Sequence, residues 1–201
     1  MKQLLLHLLV LLCCTGAAAQ NIDYRILKSV NHIDNRFVHQ SSDFLSNSTV
    51  FISFGIPAGM GLYSLISKDE ELLLDAVYVG STLCEVAVLS YGLKHITHRE
   101  RPYNTYNDII CRDEVQSSSF PSGHTSAAFS VATALSITYP KWYVIAPSFL
   151  WAGGVGFARM YEGIHYPTDV LCGAVLGAGS AGLNYKLNQW MIRKYQPKKW
   201  F

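Results

Sequence analysis

The chain has 201 residues, of which 50% are hydrophobic and 15% charged, and its formal net charge is +2. That length makes one domain of ordinary size, and so apolar a composition excludes a disordered protein. The near-neutral balance excludes the basic stripe that non-specific nucleic-acid binding requires, so no nucleic-acid partner is expected.

The N-terminus reads as an export signal. Lys2 gives a short basic start, Leu4 to Leu12 an apolar stretch, and Ala17-Ala18-Ala19 a small-residue cleavage site before Gln20. Residues 1–19 are therefore set apart from the fold, with an uncleaved anchor helix as the alternative. Residues 20–201 are expected to form a single domain. Cys84, Cys111 and Cys172 remain beyond the signal, an odd number without a CxxC, so no disulfide framework or zinc site is expected.

Residues 20–47 carry Ile22, Ile26, Leu27, Val30, Ile33, Phe37 and Val38 at a spacing that suits an amphipathic or interfacial helix, or an ordinary packing helix. Apolar segments follow at about 48–67, 71–93, 124–139, 142–158 and 170–187, each near the length that crosses a hydrocarbon core. In the last of them Gly173, Gly177, Ala178 and Gly182 allow helix backbones to approach closely. Asp75, Glu85, Ser126, Ser130 and Thr133 interrupt the apolar runs, as residues facing the inside of a bundle can, in lipid or in water. The fold expected is all-α, a membrane helical bundle of about five spans.

Five spans after a cleaved signal place the C-terminal cations Arg193, Lys194, Lys198 and Lys199 inside, as the positive-inside rule asks. The same topology puts residues 94–123 and 159–169 together on the outer face. A soluble exported protein with buried core helices is the alternative.

Those two outer stretches hold three polar clusters: Lys94 to Pro102, Pro121-Ser122-Gly123-His124, and Arg159 to Asp169. Lys94, Arg101 and Arg159 are permanent cations at helix ends, and converging they would bind a dianion such as phosphate. Any one of them alone reads equally as an interfacial side chain reaching for headgroups. The Ser122-Gly123-His124 segment precedes an apolar helix, where free N–H groups and the dipole hold anions, although Ser122 also suits a plain N-cap. His165 and Asp169 are four apart, with Pro167 opening a helix between them. A carboxylate at that spacing can hold one imidazole nitrogen and leave the other as a lone pair, or form a purely structural pair. His124 has no such neighbour and suits a proton donor.

In order and spacing, the three clusters resemble the KxxxxxxRP, PSGH and SRxxxxxHxxxD signatures of the type 2 phosphatidic acid phosphatase superfamily, over residues 94–169. Ala158 stands where the third signature has Ser. The resemblance implies a metal-independent phosphatase without a cofactor. In it His165 attacks phosphorus to form a phosphohistidine, Asp169 orients His165, and His124 protonates the leaving oxygen and then activates water. Lys94, Arg101, Ser122, Gly123 and Arg159 would bind the substrate phosphate.

The substrate expected is a lipid phosphate: lipid A phosphate, a polyprenyl diphosphate or a phosphatidic acid type. The location expected is the bacterial inner membrane, multi-pass, with the active site on the periplasmic face. A soluble periplasmic nonspecific acid phosphatase is the alternative enzyme, and a noncatalytic lipid-phosphate binding or transport component the alternative of another class. His95, His98, Arg99 and Glu100 fall at positions the signature leaves variable and read as loop or interface residues. Arg112, Asp113 and Glu114 read as a solvated outer loop. Glu162 lies near enough to the site in sequence to affect specificity. The oligomeric state is not legible.

Overall fold

A computed structural model describes residues 17–195. The described residues form α1 (Ala17–Asn31), α2 (Arg36–Ser67), α3 (Glu70–Thr97), the short α4 (Pro102–Thr105), α5 (Gly123–Thr138), α6 (Trp142–Tyr161) and α7 (Pro167–Tyr195), with no strand among them. The five apolar segments fall within α2, α3, α5, α6 and α7. Most of the expected export signal, and Lys198 and Lys199 of the cationic tail, lie outside the described residues. Two helical stretches among the described residues, Arg36–Ser67 and Glu70–Thr105, are long and apolar enough to cross a membrane.

The helix ends follow from local chemistry. Asn35 caps α2 by accepting from the N–H groups of Phe37 and Val38, and Asp69 caps α3 by accepting from Leu72. Lys68 and His98 close α2 and α3 in the left-handed conformation, each returning its N–H to the preceding turn.

Helix α5 is the centre of the bundle. One face packs Val131 and Ala134 against Tyr78, Val79 and Leu83 of α3 and Ala181 of α7. The other packs Ala128 and Ala132 against Ala152 and Val155 of α6. Small residues set the spacing: a Cβ on Gly177 would stand 2.2 Å from the Ser126 carbonyl oxygen, and one on Gly173 2.7 Å from that of Ser122. Polar contacts fasten α3 to α7, where Asn184 Nδ2 donates to Ser81 Oγ at 2.9 Å and Thr82 Oγ1 at 2.8 Å, and Tyr78 OH to the Ala181 carbonyl at 2.9 Å.

Helix α2 has an inverted surface. Its buried residues are Ser42, Ser46, Thr49, Ser53 and Ser64, whereas Phe51 is 79% and Ile66 73% exposed. In water that arrangement hides what hydrates well and exposes what does not; against lipid it is the favourable one.

Helix α1 lies across the end of the bundle where the polar clusters collect. Asp23, Leu27 and Asn31, spaced by four, are buried along one face. Leu27 packs with Ile109 and Tyr166. Asn31 fixes the long 106–122 loop by donating to the Ile110 and Tyr161 carbonyls and accepting from the Ile110 N–H, each at 2.9 Å. Gly163, at φ +77°, lets the α6–α7 turn pass beneath that loop; a Cβ there would stand 2.4 Å from the Ile110 carbonyl oxygen.

Candidate active site

The site is assembled from helix ends: the last turn of α3, the first turn of α5, the end of α6 and the start of α7. Pro167 opens α7, so Asp169 falls in its first turn and points back over the turn that carries His165. Both are buried. His165 Nδ1 lies 3.6 Å from Asp169 Oδ2, a close electrostatic contact longer than a formed hydrogen bond. Ser119 Oγ bridges them, donating to Asp169 Oδ2 at 2.5 Å and lying 3.5 Å from His165 Nδ1.

Burial holds the His165 imidazole down at about 4; Asp169 opposes that shift, and the charges of Arg101 and Lys94 add to it. At neutral pH the ring is uncharged. With Nδ1 toward Asp169, the other nitrogen offers its lone pair, which is the state a nucleophile needs.

His124 and Arg159 share a cavity of about 490 Å³. One wall is a stripe of α2 that changes character along its length, from Asp43, Ser46 and Asn47 to Val50 and Phe51. The Arg159 guanidinium donates to Ser46 Oγ, and its Nη2 meets Asp113 Oδ2 at 2.8 Å. Its Nε lies 3.1 Å from Glu162 Oε2, out of line for a hydrogen bond, and is buried without a hydrogen-bond partner among the described residues. Burial pushes the Glu162 carboxyl up to about 7, with Arg159 and Ser46 resisting.

The remaining expected phosphate ligands are placed less simply. Lys94 donates to the Ser118 carbonyl. Arg101 is buried, giving Nε to the Ser117 carbonyl at 2.7 Å and Nη1 to the Ile164 carbonyl at 2.9 Å. It thus ties the 117–119 loop to the residue before His165. Both cations lie near enough to His124 and His165 for their charges to act on each ring, as Arg159 does on His124. Ser122 occupies the N-cap of α5, yet its hydroxyl pairs with Thr125 Oγ1 at 2.8 Å rather than with a backbone N–H, while its own N–H donates to the Asp169 carbonyl at 3.1 Å. Gly123 has open space where a Cβ would stand. All eight residues therefore gather at one end of the bundle, with His124 and Arg159 on the cavity wall.

Residues 75–193 match the PAP2 superfamily. The chain belongs to the PAP2 superfamily. It is similar to the undecaprenyl-diphosphatase of Sulfolobus acidocaldarius, 32% identical over 172 residues that cover 84% of this chain and 80% of that protein. The lipid A 1-phosphatase of Porphyromonas gingivalis is 34% identical over 84 residues, 40% of this chain but only 19% of that protein. Among solved structures, the transmembrane PAP2 type phosphatidylglycerolphosphate phosphatase from Bacillus subtilis superposes with a TM-score of 0.71 at 26% identity, covering 94% of this chain and 95% of that one. The expectation of a phosphatase agrees with all three names.

Within this PAP2 chain, four residues placed around the site lie outside the reading of the motifs. Arg99, at a position the signature leaves variable, is bound to Asp169 and Asp23. Asp113, on a loop expected to be solvated, is paired with Arg159. Ser119 lies between His165 and Asp169 and falls in no motif. Neither Ser119 nor Asp23 carries a local signal in the sequence, Asp23 being 145 residues from its partner Thr168.

Proposed function

We propose that this PAP2 chain hydrolyses the phosphate of a membrane lipid through a phosphohistidine on His165. The observation that carries the reading is the cavity: His124 and Arg159 stand at its polar end, and its α2 wall runs on to Val50 and Phe51 beside a face that suits lipid. A phosphate held by Arg159 would leave its apolar portion lying along that wall.

In the first step the lone pair of the distal His165 nitrogen forms the bond to phosphorus while the lipid oxygen leaves with a proton from His124. In the second, His124 takes a proton from water, the resulting oxygen attacks phosphorus, and the P–N bond breaks to return His165 and release phosphate. Arg159, with an unused Nε donor, and the Lys94 and Arg101 charges would stabilise the equatorial oxygens as negative charge redistributes. Ser122 and Gly123 would contribute at the start of α5, where N–H groups remain open.

The substrate class is a lipid A phosphate, a polyprenyl diphosphate or a phosphatidic acid type lipid, the relatives being named for more than one of these. The inner membrane with the site on the periplasmic face is the location this reading adopts, supported by the inverted surface of α2 and the basic C-terminal tail.

The test is release of inorganic phosphate from each lipid by protein purified in detergent, with chelator present. Turnover of at least one lipid, abolished in His165→Ala, is expected. Activity confined to water-soluble phosphates, or recovery of the protein in a detergent-free periplasmic extract, would overturn the lipid assignment.

A further inference from the structure

Both carboxylate oxygens of Asp169 are engaged. Its Oδ2 accepts from Ser119 Oγ at 2.5 Å and from the Tyr166 N–H at 3.0 Å, and its Oδ1 accepts from Arg99 Nη1 at 2.6 Å. A carboxylate with no solvent exposure needs such a set, because an unpaired buried charge is costly. Of these three donors only Arg99 carries charge.

Arg99 is itself held from three sides. Its Nη1 also donates to Thr168 Oγ1 at 2.8 Å, its Nη2 meets Asp23 Oδ2 at 2.9 Å, and its guanidinium lies over the Tyr166 ring with Cζ 4.0 Å from the centroid. The planar fork of arginine can bridge two carboxylates in this way, which a lysine ammonium does less well. Asp23 completes the frame: its Oδ1 accepts from the Thr168 N–H at 3.0 Å and its Oδ2 from the Thr168 hydroxyl at 2.5 Å, capping the first turn of α7 from outside the helix. Two carboxylates thus share one guanidinium, so that Asp169 is fixed in orientation without having its charge fully neutralised by a single cation.

We infer that Arg99 and Asp23 are positioning residues for the reaction, holding Asp169 against His165, and that α1 belongs to the active-site frame through Asp23. The inference rests on the reading of His165 as the nucleophile. Neither residue lines the cavity that holds His124 and Arg159. Their effect should therefore fall on kcat and leave the binding of anions almost untouched. A separate cavity of about 170 Å³ lies against Arg99, beside Thr105, Tyr106 and Tyr166, and gives a small cation access to the position of its guanidinium.

The variants are Asp23→Asn, Arg99→Gln, the double variant and Arg99→Ala. Asp23→Asn keeps the shape and the acceptor for the Thr168 N–H while removing the charge that faces Arg99, so it carries the test even where the arginine variants fold poorly. Each single substitution is expected to lower kcat by about tenfold to a hundredfold, the scale of a small misplacement of reacting groups. Competitive inhibition by sulfate should stay within about threefold of the parent. Asp23→Asn should cost nothing further in the Arg99→Gln background, and guanidinium ion should restore turnover to Arg99→Ala but not to His165→Ala.

A kcat within about threefold of the parent in Asp23→Asn would overturn the inference. So would losses that multiply in the double variant, or sulfate binding that weakens in step with kcat. Failure of the nucleophile reading is seen separately, as a parent without turnover or a His165→Ala protein with full turnover. In that event the ¹⁵N resonances of His165 decide the positioning claim, which requires them to shift in Asp23→Asn and Arg99→Gln and is refuted if they do not.

Discussion

Asp113 Oδ2 lies 2.8 Å from Nη2 of Arg159, on the donor that a substrate phosphate would use. Asp113 is half exposed on the 106–122 loop, so the pair is a weak one and the carboxylate can swing away. In the proposed reaction it is a competitor that an incoming phosphate would have to displace. In Asp113→Asn the competing charge is gone, and sulfate should inhibit about two- to fivefold more strongly, the scale of an ion pair with one partner half exposed. Inhibition constants for the two proteins measured side by side check this, and unchanged or weaker inhibition by sulfate would contradict it.

Glu162 should give the proposed anion site a pH dependence. Its carboxyl is raised to about 7, chiefly by burial, so it is neutral below that pH and competes for Arg159 above it. Sulfate keeps a fixed charge from about pH 5 to 9, so a change in its affinity across that range reports the protein, and inhibition should weaken about two- to tenfold as pH rises through 7. Glu162→Gln should flatten the step. The same shift has a consequence for stability: the contribution of the protonated carboxyl is complete below its ordinary value of 4.5 and is lost as pH rises through about 7.

Gly177 governs how closely α7 approaches α5. A Cβ there would meet the Ser126 carbonyl oxygen at 2.2 Å and the Ser130 nitrogen at 2.8 Å, both backbone atoms that cannot step aside. Gly177→Ala should destabilise the bundle by about 1 to 3 kcal/mol, the usual cost of overpacking. Gly179, which has nothing within 4 Å of a Cβ, is the control. Thermal unfolding in detergent followed by size-exclusion recovery separates the two.

Arg159 lines the cavity together with Arg112, and is buried with one donor unused. Replacing it with alanine should remove at least about 2.7 to 4 kcal/mol of transition-state stabilisation, as expected when one preorganised donor is lost. The comparison to make is kcat/KM for one lipid phosphate in the parent and variant; a smaller loss would show that Lys94 and Arg101 hold the phosphate without it.

The helices and the site were not equally legible in the sequence. Apolar runs and small-residue spacing gave the positions of α2, α3, α5, α6 and α7, because those patterns act within one helix. The motif residues from Lys94 to Asp169 stood out because polar clusters beside apolar helices are unusual, while the roles expected of them came from the resemblance to the family's three signatures. Asp23 and Arg99 were not, since their significance comes from contacts across the whole chain, and no local period records that Asp23 caps a helix beginning at Pro167. Arg101 shows the converse. Its identity as a cation was plain, but its role as a clamp on the carbonyls of Ser117 and Ile164 depends on where two loops pass.

The phosphohistidine on His165 is the central claim, and the most direct measurement is mass spectrometry of protein quenched in alkali during turnover of a lipid phosphate. A phosphoryl group on the peptide containing His165, absent from His165→Ala, is the expected result. Turnover by His165→Ala at the parent rate, or a phosphoryl group found on His124 instead, would contradict it.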